Sequence, residues 1–84
     1  MSYFIDVRES DEREELPLKV SNVLNIPLSE FEHRLQEIPK DEELIIVCYS
    51  GARSSLAVKI LLKAGFTKVS NLEGGLMGSG KKLL

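Results

Sequence analysis

The sequence is short of several things at once. Its 84 residues include one cysteine, Cys48, one histidine, His33, and no tryptophan. A lone cysteine closes no internal disulfide, and with one histidine it supplies no ligand set spaced for a structural zinc. No metal or cofactor is expected. No apolar run approaches the length of a bilayer span, and the opening MSYFIDVRES lacks the basic-then-apolar order of an export leader. We therefore expect a reduced, cytoplasmic setting with no membrane partner. Positive charge is not in excess either. With 11 Lys and Arg against 13 Asp and Glu the net charge is −2, which argues against a nucleic-acid-binding face. The acids crowd into ESDEREE, Glu9 to Glu15, read as a solvated helix face, whereas GARSS is locally basic and suits a small anion.

What is present is aliphatic. A chain of this length makes one domain, residues 1–84, with a thin core of Leu, Ile and Val. Tyr3–Val7 has strand composition, and Ser10 is placed to cap a short acidic helix that ends before Pro17. Lys19–Ile26 reads as a second strand. Ser29 and Glu32 form an S-x-x-E capping box, and Leu28, Phe31, Leu35 and Ile38 recur at helical spacing as far as Pro39, predicting an amphipathic helix over 29–38. LIIVC, Leu44–Cys48, is a continuous apolar run of the kind buried on both faces of a sheet. Ser54–Ala64 again has helical spacing, with Gly65 at the left-handed cap position and Phe66 folding back. Lys68–Leu72 is a last short strand. Residues 76–84 are expected to be an irregular tail because of the glycines around them, with KKLL a frayed end. Alternating strands and helices at these spacings imply an α/β fold, a small parallel sheet with helices on both faces, whose ligands gather beyond the carboxyl ends of the strands.

Cys48 sits at such an end, between a strand and a helix. If CYSGARS closes into a cradle, the amides from Tyr49 to Ser54 converge on the sulfur, and Gly51 permits the tight curvature. Tyr49, Ser50, Gly51, Ala52, Arg53 and Ser54 are therefore the candidate binding loop. Arg53 adds a fixed positive charge, and the hydroxyls of Ser50, Ser54 and Ser55 can complete an anion's hydrogen bonds. A thiolate there should titrate well below a free cysteine. His33, beside Glu32 and Arg34, is read as a surface residue.

Taken together, FIDVRE, NIPLSEF, IIVCYSGARSSLAVKILLKAGF and VSNLEGG resemble a single-domain rhodanese, a sulfurtransferase family, from Phe4 to Gly75. The resemblance implies a rhodanese-like fold in which Cys48 takes a sulfane sulfur from a small anionic donor such as thiosulfate. The resulting persulfide passes it to cyanide, a thiol or a protein acceptor. It also implies that Asp6 and Arg8, in the I-D-V-R positions, and Glu73, in L-E-G-G, support the pocket. The chain departs from the family where relatives read G-H-I-P-G-A: LKVSNV puts Lys19 at the histidine position, and the tryptophan after the double glycine is absent.

Two other functions compete. A cysteine phosphatase or arsenate reductase uses a C-x5-R loop, whereas four residues separate Cys48 from Arg53, a smaller ring suited to sulfur. A non-catalytic binding or regulatory module on the same scaffold is the second reading.

Overall fold

In the computed structural model, which describes residues 2–84, four strands form one sheet: β1 (Ser2–Asp6), β2 (Val23–Asn25), β3 (Glu43–Val47) and β4 (Val69–Asn71). Met1, expected in the same domain, lies outside the described residues. The order is β2-β1-β3-β4 with every pairing parallel, and Phe4 stands opposite Val23 on one side and Ile45 on the other. The apolar run that predicted a doubly covered strand is indeed an inner strand.

Successive side chains on a strand point to opposite faces, and β3 shows it. Leu44, Ile46 and Cys48 join Ile5, Val7, Phe31, Ala57, Leu61 and Phe66 in one cluster, while Val47 packs with Leu76 and Leu83 in another. Each fully buried Ile or Leu contributes about 1.5–3 kcal/mol, so the larger cluster dominates the hydrophobic stabilisation. This alternation also sends the Cys48 side chain to the face covered by the main helix. Among the described residues, no helix is long and apolar enough to cross a membrane, and no acidic, histidine or cysteine group could hold a metal ion.

Helix α1 (Ser10–Glu15) starts one residue earlier than expected: Glu9, not Ser10, is the cap. Its amide donates to the Glu12 carboxylate at 3.0 Å, the return half of a capping box. Helix α2 (Ala52–Lys63) ends as predicted. Gly65 adopts φ 97°, the Gly65 amide donates to Leu62 O, and the Phe66 amide reaches back to Leu61 O at 3.0 Å, a Schellman motif that buries Phe66.

Three expectations are corrected. The segment 29–38 is not an α-helix but two 3-10 turns, Leu28–His33 and Leu35–Glu37, with Arg34 between them. Its apolar positions explain this: Leu28 to Phe31 and Leu35 to Ile38 are steps of three, which eclipse in a 3-10 turn, and the single step of four falls across the break. Ser29 does not act in the expected box, because its hydroxyl donates to Glu9 at 3.0 Å. Phe31 and Ile38 are buried all the same. The second strand is shorter than Lys19–Ile26, since the Lys19 amide is drawn away to Leu83 O at 2.6 Å.

The third correction concerns the tail. Residues 75–83 form two further 3-10 turns, Gly75–Met77 and Ser79–Leu83, that cover the second face of the sheet and bury Leu76 and Leu83. KKLL is therefore docked rather than frayed. A Cβ on Gly75 would lie 2.4 Å from Tyr49 O and 2.5 Å from Cys48 O, so the glycine marks backbone crowding instead of looseness.

Candidate functional site: a thiol cradle at the end of β3

The chain leaves β3 at Val47, and Cys48 begins the turn into α2. Gly51 holds this turn at φ 101°, a conformation costly for any other L-residue. The turn brings the Gly51 amide to 3.0 Å and the Ser54 amide to 3.3 Å from the Cys48 sulfur, both donating to it. The Ser54 hydroxyl lies 3.3 Å from the same atom. Of the amides expected to converge, these two make the hydrogen bonds.

Cys48 is only 1% exposed, which in an apolar surrounding would make an inert thiol. Burial pushes the thiol up. The Ser54 hydroxyl and the amides of Ser54, Gly51 and Arg53 outweigh it, so the group ends below an ordinary cysteine. The site can thus hold negative charge on sulfur.

The rest of the fold braces the loop from below and beside. The Leu76 amide donates to Cys48 O at 2.9 Å and the Met77 amide to Tyr49 O at 3.0 Å, the close approach that requires Gly75. From the end of β4, Asn71 donates through Nδ2 to Ser55 Oγ at 2.7 Å and to Gly51 O at 3.3 Å, and its Oδ1 accepts from the Ser54 hydroxyl. Sequence reasoning missed Asn71. An asparagine closing a strand carries no local sign that it will reach a loop twenty residues away.

Asp6 and Arg8 are both fully buried. Arg8 Nε donates to Asp6 Oδ1 at 3.0 Å and Nη2 to Oδ2 at 2.9 Å, and Asn25 secures the Asp6 and Arg8 carbonyls. Arg8 Nη1 has no hydrogen-bond partner, and Arg8 Cζ stands 5.5 Å from the centre of the half-buried Tyr49 ring. Ser50 and Ala52 are exposed, as are His33 and Glu73. The Glu73 carbonyl, rather than its carboxylate, makes a brace, accepting from the Ser79 hydroxyl at 2.8 Å.

Arg53 opens the first turn of α2, and its guanidinium is already engaged. Nη1 meets Glu12 Oε1 at 2.6 Å and Nη2 meets Oε2 at 2.9 Å, a bidentate pair about one-third exposed. Arg53 holds the Glu12 carboxyl down to about 2 against the opposing effect of burial. The sequence places Glu12 on a solvated face, because nothing local links it to a residue 41 positions on.

A family model for the rhodanese-like domain matches residues 1–81. The chain belongs to the rhodanese-like domain family. A sulfurtransferase of Allochromatium vinosum is 40% identical over 58 residues, covering 69% of this chain and 54% of that one. YrkF of Bacillus subtilis, proposed by its name to be a sulfur carrier, is 40% identical over 72 residues, covering 86% of this chain and 38% of its own length. These two curated relatives are thus matched over about half their length or less. Among solved structures, an E. coli rhodanese with anions superposes with a TM-score of 0.70 at 32% identity, covering 90% of this chain and 88% of that one. The rhodanese-like domain therefore shares its family with these relatives, whose own names refer to sulfur transfer or sulfur carriage.

Proposed function

We propose that this rhodanese-like domain carries a sulfane sulfur on Cys48 between a donor and a thiophilic acceptor. The observation that supports this reading is the pair of amides that donate to the sulfur, Gly51 at 3.0 Å and Ser54 at 3.3 Å, with the Ser54 hydroxyl 3.3 Å from the same atom. In the first half-reaction the Cys48 thiolate attacks the outer sulfur of a donor such as thiosulfate. The donor's S–S bond breaks, and sulfite leaves with the electron pair. In the second, cyanide or a thiolate attacks the terminal sulfur of the persulfide and regenerates Cys48. Cradle amides offset the charge that resides on sulfur in both halves. The loop residues Tyr49, Ser50, Gly51, Ala52, Arg53 and Ser54 receive the donor, and Asp6 and Arg8 hold the sheet end beneath it. A free thiolate of this kind suits the reducing cytoplasm.

The 1% exposure of Cys48 favours the competing reading, a binding module without turnover. Mass spectrometry after separate exposure to thiosulfate and to the persulfide of 2-mercaptoethanol separates the two. A carrier gains the mass of one sulfur on Cys48, removable by cyanide and absent in Cys48→Ala. A binding module gains nothing. A phosphatase fits less well, because Arg53, its phosphate ligand, is held by Glu12. Turnover of an aryl phosphate that disappears in Cys48→Ser would reverse that ranking.

A further inference from the structure

Two guanidiniums belong to the cradle or touch it, and each is paired with a carboxylate. Arg8, over the Tyr49 ring, is neutralised by Asp6, and Arg53, within the loop, by Glu12. Once Cys48 ionises, the negative charge on sulfur has no unpaired guanidinium beside it. Glu12 is not free to swing aside at no cost, because the same carboxylate that grips Arg53 with both oxygens also accepts from the Glu9 amide at 3.0 Å. A dianion entering this loop must displace a carboxylate from Arg53 or approach against it.

We infer that Glu12 sets the donor class of this domain: it selects against small dianionic donors and for a thiol-bound persulfide, R–S–SH, which brings no charge beyond its own sulfur. This rests on the persulfide-carrier reading above. The step balances without an oxidant or reductant. Cys48 thiolate bonds to the outer sulfur of R–S–SH, the donor S–S bond breaks, and the electron pair leaves on R–S⁻, giving Cys48–S–SH. Charge is conserved, one thiolate replacing another. With thiosulfate, the same attack brings a third negative charge to the site and expels doubly charged sulfite past Glu12.

The test compares rates of one-sulfur mass gain on Cys48 from thiosulfate and from the persulfide of 2-mercaptoethanol. The unmodified protein should load faster from the persulfide. Glu12→Gln keeps an oxygen for the Glu9 amide but removes the charge, and it should raise the thiosulfate-to-persulfide rate ratio by about fivefold or more. A merely structural Glu12 would alter both rates together. A ratio unchanged or lowered in Glu12→Gln, or an unmodified protein that prefers thiosulfate, would overturn the inference while leaving the carrier reading standing. No sulfur gained from either donor would instead remove the carrier reading, and this inference with it.

Discussion

Two arginine–carboxylate pairs flank the loop, and they differ in almost every respect. Asp6 and Arg8 are two residues apart and fully buried; Glu12 and Arg53 are 41 apart and about one-third exposed. The sealed pair cannot lose a partner without stranding a charge in the core, whereas the outer pair can open into solvent at modest cost. One holds the end of the sheet in place. The other, we propose, adjusts the field above the sulfur.

Breaking the sealed pair should have the largest effect. Asp6→Ala leaves the Arg8 guanidinium buried and unpaired, and should lower unfolding stability by about 3–5 kcal/mol in urea titration. Next comes the floor beneath the loop. Gly75→Ala forces a Cβ to within 2.5 Å of two loop carbonyls at φ 60°, and should cost about 2–4 kcal/mol while displacing the amides around Cys48. Glu12→Gln, by contrast, should cost no more than about 1 kcal/mol, as partly exposed pairs do.

The outer pair also has a pH signature. Because the folded carboxyl is held to about 2 and its usual value is 4.5, its contribution is present above 4.5 and fades as pH falls toward 2. The stability difference between the unmodified protein and Glu12→Gln, small near neutral pH, should therefore shrink further in acid. A difference that grows on acidification would mean that the pair is not what holds Glu12.

The same contrast governs what could be read in the sequence. Asp6 and Arg8 lie two residues apart in I-D-V-R, so their pairing is local, and the Gly65 cap and the strand before Cys48 are legible for the same reason. Glu12 with Arg53, and Asn71 with Gly51 and Ser54, meet only because β1, β3 and β4 run parallel and deliver their carboxyl ends to one edge. No window of sequence contains both partners. The tail hides its structure for a related reason: its glycines suggest freedom, while the backbone of Cys48 and Tyr49 passes too close to Gly75 for any side chain. The steps of three in 28–38 are visible in the sequence but pass equally for the looser spacing of an α-helix.

The most direct test of the cradle is titration of Cys48 itself, followed by the ultraviolet absorbance of the thiolate. The unmodified protein should ionise below the value of about 8.5 for a free cysteine, and Ser54→Ala, which removes the hydroxyl that helps hold the Cys48 thiol down, should titrate higher. A midpoint at or above that of free cysteine, unmoved by Ser54→Ala, would mean that the surrounding donors do not hold charge on this sulfur.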